Sequence, residues 1–184
     1  DKIVFITGAS SGIGAGCARK FASQGASLIL NARNVNKLSA LKEELEKQYG
    51  AKIYLLPFDV RDRKAATSAL ESLPKEWQSI DILVNNAGLV IGTDKEQEGS
   101  LDEWDIVIDT NIKALLAMTR LIVPGMVERK RGHIINIGSI AGDAAYPGGS
   151  VYCATKAAVK ALSDGLRIDC LLYTSPSPRD LSTS

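Results

Sequence analysis

A short apolar run, a glycine-rich turn and a helical pattern follow one another without a gap at the start of the chain. Residues 2–6 predict a strand, and residues 7–14 read TGASSGIG. Apolar side chains then recur at positions 17, 18, 21 and 22, which is the spacing of one helix face. Glycines in such a turn permit a tight bend and close approach to a pyrophosphate at the helix N-terminus. The segment predicts a dinucleotide site, with an ordinary strand-to-helix connection as the alternative.

The alternation of strand and helix continues along the chain. Further strands are predicted at 26–30, 52–57, 80–84 and 133–138, and further helices at 36–49, 101–127 and 151–169. Gly50 closes the first of these helices, and Pro124 predicts a break or kink in the second. Strands that alternate with helices form a parallel sheet covered on both faces. We therefore predict an α/β fold, a Rossmann-type doubly wound parallel sheet with helices on both faces, in one domain over residues 1–169.

The residues after the second predicted strand indicate which dinucleotide is bound. An acidic residue there would bind a ribose 2′-hydroxyl and repel a 2′-phosphate, but the sequence reads Asn31-Ala32-Arg33-Asn34. Arg33 offers a forked cation that suits a phosphate, so the sequence favours NADP over NAD. A solvated surface arginine is the alternative.

The third predicted strand is followed by a possible adenine contact. Asp59 lies at its carboxyl end, where its carboxylate could meet the adenine edge. The spacing is equally compatible with a different role, in which Asp59 or Asp62 caps a helix.

Ser139, Tyr152 and Lys156 together could form a proton-transfer device. Tyr152 and Lys156 are four residues apart, so a helix brings them onto one face. The ammonium group would favour the phenolate, which makes Tyr152 a candidate general acid or base. Ser139 ends a predicted strand and could direct its hydroxyl at the same substrate oxygen. The pattern Y-x-x-x-K also arises by chance, when it describes a half-buried tyrosine beside a solvated lysine.

These motifs resemble, in order, those of the short-chain dehydrogenase/reductases, over residues 2–169. The matching positions are Thr7–Gly14, Asp59-Val60, Asn85–Gly88, Asn111, Ser139, and Tyr152 with Lys156. Within the family the chain is most similar to the NADP-dependent 3-hydroxy acid dehydrogenases, also described as serine or allo-threonine dehydrogenases. The residues behind this narrower similarity are 73–77, 109–111, 124–129, 132–139 and 145–149.

The resemblance implies roles for individual residues. Tyr152 would exchange a proton with the substrate hydroxyl, Lys156 would assist it and hold the nicotinamide ribose, and Ser139 would bind the reacting oxygen. Asn111 would hold a water that links Lys156 to solvent. Without the family resemblance, Asn111 would be interpreted as a helix-interior amide that bonds to backbone. Tyr146 would flank the substrate or serve as a packing aromatic. The expected cofactor-binding residues are Gly8, Ser10, Ser11, Gly12, Ile13, Gly14, Arg33, Asp59, Val60, Asn86, Ala87, Gly88, Tyr152 and Lys156.

The expected activity is hydride transfer between NADP and the hydroxyl-bearing carbon of a 3-hydroxy acid or β-hydroxy amino acid. Two alternatives stay open: a reductase of another carbonyl, such as a 3-oxoacyl group or a ketone, and a non-catalytic nucleotide-binding relative. The intact set of Ser139, Tyr152, Lys156 and Asn111 disfavours the second alternative. Relatives are usually tetramers, so a homotetramer is expected for a full-length protein.

Residues 170–184 differ in character from the rest of the chain. The run from Cys170 to Asp180 resembles a translated transposase-type sequencing adapter, with a natural Ser/Pro-rich tail as the alternative. We therefore expect an incomplete domain that lacks the last strands and the substrate-covering loop, followed by a non-native tail. Such a chain should bind cofactor weakly and turn over little.

Charge and composition limit the other classes of function. The chain has 184 residues, 45% of them hydrophobic, and a net charge of +1, so no nucleic acid or anionic membrane is expected as a partner. Cys17 and Cys153 are expected to be reduced thiols in the cytoplasm. His133 is the only histidine, which gives no support to a histidine-ligated metal or a Ser-His-Asp triad.

Overall fold

The computed structural model describes residues 2–171, and within that range five strands form one parallel sheet. The strand order is β3-β2-β1-β4-β5. The strands are β1 (Ile3–Ile6), β2 (Ser27–Leu30), β3 (Ile53–Leu55), β4 (Ile82–Asn85) and β5 (His133–Asn136). Each strand is one to three residues shorter than the apolar run that predicted it. Residues 172–184, which hold most of the expected non-native tail, lie outside the described residues.

Helices connect the strands and cover the sheet. They are α1 (Gly12–Ser23), α2 (Val35–Tyr49), α3 (Arg63–Glu71), α4 (Leu101–Ile108), α5 (Ala114–Glu128) and α6 (Ser150–Leu171). Short 3₁₀ turns lie at Lys75–Trp77 and Ile140–Gly142.

Side chains alternate between the two faces of the sheet and meet a different set of helices on each. Val4 and Ile6 of β1 pack with apolar residues of α1 and α2, whereas Phe5 packs with residues of α3 and α5. Because successive residues of a strand point to opposite faces, strands that are apolar throughout require helices on both sides. The predicted doubly wound α/β fold is confirmed.

Local signals fix the ends of two helices. The Asn34 side chain accepts a hydrogen bond from the Lys37 amide at the start of α2, and Gly50 closes that helix in the left-handed region with φ of 63°. Asp62 accepts hydrogen bonds from the amides of Lys64 and Ala65 at the start of α3. Of the two aspartates considered as caps, Asp62 is therefore the one that caps a helix.

Of the break or kink predicted at Pro124, the break is wrong. Helix α5 runs through Pro124 from residue 114 to residue 128. The interruption lies earlier, where residues Asp109–Lys113 form a π-helical turn between α4 and α5. This turn places one extra residue in the helix, and Asn111 lies within it.

The strand order creates a natural ligand site. The chain leaves β1 towards β2 and β3 on one side, and reaches β4 and β5 on the other. Ligands of open α/β sheets bind at the carboxyl ends of the strands where the order reverses, which here is between β1 and β4.

Substitution of Gly14 should disturb the junction of β1, β4 and α1. A β-carbon on Gly14 would clash with the Gly8 carbonyl oxygen and lie 2.5 Å from Nδ2 of Asn86. We expect Gly14→Ala to lower the free energy of unfolding by about 1–3 kcal/mol, the usual cost of overpacking. Urea denaturation followed by circular dichroism measures the change.

Gly16→Ala is the matched control for Gly14→Ala. Gly16 lies in the same helix, and a β-carbon there meets nothing within 4 Å. Because alanine favours the helix over glycine, the free energy of unfolding should rise by up to about 1 kcal/mol. An equal loss of stability in both variants would contradict the packing argument.

Candidate active site

A cleft of about 1070 Å³ opens at the carboxyl ends of β1 and β4, at the predicted reversal point. It brings together residues from both halves of the described chain. Fourteen of the predicted cofactor or catalytic residues line it: Gly8, Ser10, Ser11, Gly12, Ile13, Arg33, Asp59, Val60, Asn86, Ala87, Gly88, Ser139, Tyr152 and Lys156. Gly14 and Asn111 lie just behind this lining.

The glycine turn is held against the end of β4 by hydrogen bonds. Oγ1 of Thr7 accepts from the amides of Asn86 and Ala87, at 3.0 and 2.9 Å, and donates to the Val84 carbonyl. Nδ2 of Asn86 in turn donates to the carbonyls of Thr7 and Gly8. The sequence analysis includes Thr7 in the glycine motif but predicts no role for it. The signal was its position at a strand end, where a buried hydroxyl usually has a hydrogen-bonding partner.

The turn presents backbone and small side chains to the cleft. Gly8 and Gly12 have φ of 63° and 54°, a conformation that L side chains rarely adopt. Ser11 is the N-cap of α1, and its side chain makes no capping hydrogen bond. Amides at the start of α1 therefore face the cleft and favour an anion there.

Cations surround a single carboxylate at one end of the cleft. Arg61 forms a forked ion pair with Asp59, with Nη2 at 2.6 Å from Oδ2, and this hydrogen bonding lowers the pKa of Asp59. Arg33 lies 4.0 Å from the same carboxylate, and its side chain is 68% exposed. Lys37 also lines this end. Sequence reasoning missed Arg61 and Lys37, because only the fold brings the start of α2 beside the loop after β3.

Tyr152 and Lys156 lie together on the face of α6 that borders the cleft. Nζ of Lys156 is 5.9 Å from the centre of the Tyr152 ring, as the four-residue spacing predicts. The same Nζ donates a 2.8 Å hydrogen bond to the Ile137 carbonyl. Lys156 is only 8% exposed, and this burial lowers its pKa. The ammonium is thus bonded to the segment that leads from β5 to Ser139.

Ser139 follows β5 and begins the 3₁₀ turn at residues 140–142. Its Oγ accepts a hydrogen bond from the Ala141 amide at 3.1 Å. The hydroxyl proton remains free to donate towards the cleft, which Ser139 shares with Tyr152.

Asn111 is buried behind the cleft and bonds to backbone. Its amide accepts from the Leu89 amide and donates to the Leu89 carbonyl and to Oγ1 of Thr155. A β-carbon on Gly88 would be 3.3 Å from its Oδ1 and 3.6 Å from Nζ of Lys156, so Asn111 and Lys156 approach the same point. These bonds match the alternative interpretation of Asn111 as an amide that bonds to backbone. The water that Asn111 would hold remains a prediction.

Tyr146 is not among the residues that line the cleft, and its predicted contact with substrate remains a prediction. Its ring packs against Gly149 and is 45% exposed. The packing interpretation of Tyr146 describes the contacts seen here.

Residues 2–171 show neither a metal-ligand cluster nor a membrane-spanning helix. In that part of the chain, no three His, Cys, Asp or Glu side chains converge as metal ligands. None of its helices combines the length and the apolar character that a membrane crossing requires.

Comparison with known proteins extends the resemblance seen in the motifs. The NADP-dependent 3-hydroxy acid dehydrogenase YdfG of Escherichia coli is 50% identical over 167 residues, which cover 91% of this chain and 66% of the relative. The NADP-dependent 3-hydroxy acid dehydrogenase of Schizosaccharomyces pombe is 44% identical, with 90% of this chain and 64% of the relative covered. The chain thus spans slightly less than two thirds of the length of these curated relatives.

Solved structures agree with this comparison. Serine dehydrogenase from Escherichia coli superposes with a TM-score of 0.86 at 50% identity, covering 91% of this chain and 76% of that one. A closed form of serine dehydrogenase complexed with NADP+ gives 0.85 at 48% identity, with 91% and 66% covered. The family model for short chain dehydrogenase matches residues 2–173. Since this match includes both the glycine turn and the Tyr152–Lys156 helix, the chain belongs to the short-chain dehydrogenase family.

Proposed function

We propose that the protein is an NADP-dependent oxidoreductase that transfers a hydride to or from the hydroxyl-bearing carbon of a 3-hydroxy acid or β-hydroxy amino acid. The observation that carries the proposal is the single cleft that joins the glycine turn to Ser139, Tyr152 and Lys156. A nucleotide site alone would not require a hydroxyl, a phenol and a buried ammonium at its far end.

The cleft has the features that a phosphorylated dinucleotide needs. Gly8 and Gly14 allow the β1–α1 turn to lie against β4, which leaves the amides at the start of α1 open to a pyrophosphate. Arg33, Lys37 and Arg61 outnumber the one carboxylate of Asp59, so the Asp59 end of the cleft is cationic and suits a 2′-phosphate. Asp59 keeps lone pairs for an adenine amino group while Arg61 holds its carboxylate.

Tyr152 would exchange the proton of the reacting hydroxyl. It lies on the cleft wall with Ser139, whose free hydroxyl proton can donate to the same oxygen and orient it. When bound, the nicotinamide ring supplies the hydride chemistry.

Lys156 would supply the positive charge that stabilises the Tyr152 phenolate. Its ammonium is close to the phenol ring, and its bond to the Ile137 carbonyl fixes its position. Burial strengthens electrostatic interactions because fewer waters screen them. Asn111 lies beside Lys156, where its amide could hold a water that returns protons from solvent.

The substrate class rests on the relatives. Proteins 44–50% identical to this chain carry the name 3-hydroxy acid dehydrogenase, and a 50% identical structure is a serine dehydrogenase. We propose that the full-length protein acts on the same class.

Tyr152→Phe in the full-length protein should remove turnover. The variant keeps the ring but loses the proton-bearing oxygen, so kcat should fall by about 100-fold or more. Serine and 3-hydroxypropanoate oxidation, followed as NADPH absorbance, measures the loss, and NADPH fluorescence should show unchanged binding. Tyr49→Phe, at the exposed end of α2, should leave kcat unchanged. Retained turnover in the Tyr152 variant would overturn the assignment.

Arg33→Ala should weaken NADPH binding far more than NADH binding. The two cofactors differ by the 2′-phosphate, and a hydrogen bond to a charged group contributes about 1.5–3 kcal/mol, so the Kd for NADPH should rise about tenfold or more. Titration calorimetry with both cofactors measures the difference. Arg167→Ala is the matched control. Arg167 lies near the C-terminal end of α6, and its loss removes one exposed positive charge, which should change neither Kd. Equal weakening of both cofactors by Arg33→Ala would refute the phosphate contact.

We also propose a cytoplasmic homotetramer without nucleic acid or membrane partners. The net charge of +1 and the free thiols of Cys17 and Cys153 are compatible with this setting. Leu116 and Leu121 on α5 are 44% and 37% exposed, which offers apolar surface to a second copy.

Light scattering tests the assembly. The full-length protein should have four times the mass of one chain, and Leu121→Glu should shift it to smaller species because a buried unpaired charge is costly. Val35→Glu, on exposed α2, is the control that should keep the tetramer. A monomeric wild-type protein would contradict the proposal.

A further inference from the structure

The segment that carries Ser139 lies unusually close to the helix that carries Tyr152 and Lys156. A β-carbon built on Gly142 would lie 2.8 Å from both the carbonyl carbon and the carbonyl oxygen of Lys156, and 3.0 Å from the amide nitrogen of Ala157. All three atoms are backbone, so they cannot move aside as the end of a flexible side chain can. Gly142 itself is not in the left-handed region, so its conformation would accept alanine. The constraint at this position is one of space alone.

Two other contacts attach the same segment to α6. On one side of Ser139, the Ile137 carbonyl accepts the hydrogen bond from Nζ of Lys156. On the other side, Oδ1 of Asp143 lies 2.8 Å from Nζ of Lys160, one helical turn beyond Lys156. Ser139 is therefore flanked by a partly buried hydrogen bond and an exposed ion pair, and both lead to one stretch of α6.

A shift at Gly142 would reach Ser139 through short hydrogen bonds. The Gly142 amide donates to the Ser139 carbonyl at 3.0 Å, and the Ala141 amide donates to Oγ of Ser139 at 3.1 Å. The 3₁₀ turn thus moves as a unit with the serine. A β-carbon reaches ordinary contact only at 3.4 Å or more, so alanine would have to push the turn outward by about 0.6 Å.

We propose that Gly142 is a positioning residue of the proposed reaction: the lack of a side chain lets the turn lie on the backbone of α6 and so sets the separation of Ser139 from Tyr152. This inference rests on the proposed function, since it concerns the alignment of the same proton-transfer groups. Gly142 itself lies outside the main cleft lining, and its contacts with Ser139 and Lys156 are to their backbone atoms. Its effect on the chemistry passes through Ser139.

The test compares Gly142→Ala with Gly165→Ala in the full-length protein. Gly165 lies in the same helix as Tyr152, and a β-carbon there meets nothing within 4 Å. Small displacements of reacting groups cost up to about 100-fold in rate, so we expect Gly142→Ala to lower kcat at least about tenfold. The KM and Kd for NADP should stay within about twofold, since the cofactor groups are not moved. Gly165→Ala should leave all of these values unchanged.

A double-mutant cycle separates positioning from a general loss of structure. If Gly142 acts through Ser139, adding Gly142→Ala to Ser139→Ala should cost less than about twofold in kcat, because the serine is already absent. Losses that multiply in the double variant, or an unchanged kcat in Gly142→Ala, would overturn the inference. A folded Gly142→Ala variant that binds no NADPH would also overturn the inference, because a shift confined to Ser139 leaves the cofactor groups in place.

The Tyr152→Phe variant distinguishes failure of this inference from failure of the proposed function. Turnover that persists without the Tyr152 hydroxyl would overturn the proposed function and the inference with it. Turnover that is lost with Tyr152→Phe but kept with Gly142→Ala would overturn the inference alone.

Discussion

The closeness of β1 and β4 at their carboxyl ends is the constraint on which the site depends. Thr7 and Asn86 exchange hydrogen bonds across this junction, and Gly8 and Gly14 leave it the space it needs. Because the two strands lead to connections on opposite sides of the sheet, a cleft opens above them. The part of that cleft at the glycine turn is therefore a property of the strand order, made accessible by residues without large side chains.

The chemistry at the other end depends on how α6 is attached to β5. Lys156 bonds to the Ile137 carbonyl, and the turn after Ser139 lies on the helix backbone at Gly142. The sequence predicts the strand before Ser139 and the helix with Lys156 as separate elements. It does not predict that these contacts join them. Burial lowers the pKa of Lys156. The fold tolerates the buried ammonium because it donates a hydrogen bond to the Ile137 carbonyl and lies near the Tyr152 ring. The site is thus assembled at a helix–strand contact as well as at a sheet edge.

Sequence reasoning was most successful where the signal was local. The parallel α/β fold followed from apolar runs that alternate with helical patterns, and α2 ended at Gly50 as expected. It was weaker where a neighbour decided the outcome. The break at Pro124 was misplaced, because α5 accommodates the proline and the irregular turn forms at Asp109–Lys113 instead. Spacing alone allowed Asp59 or Asp62 to cap a helix, and the hydrogen bonds from the first amides of α3 show that Asp62 is the cap.

The sequence by itself determined the class of fold, the glycine turn and the residues that could carry proton transfer, because these depend on spacing along one strand or one helix. Only the tertiary structure decided that Arg61 and Lys37 join Arg33, that Asn111 approaches Lys156, and that Gly142 lets the turn after Ser139 lie on the backbone of α6. Each of these relations joins residues from different elements. Their distances are set by packing of the sheet and helices, which no local pattern encodes.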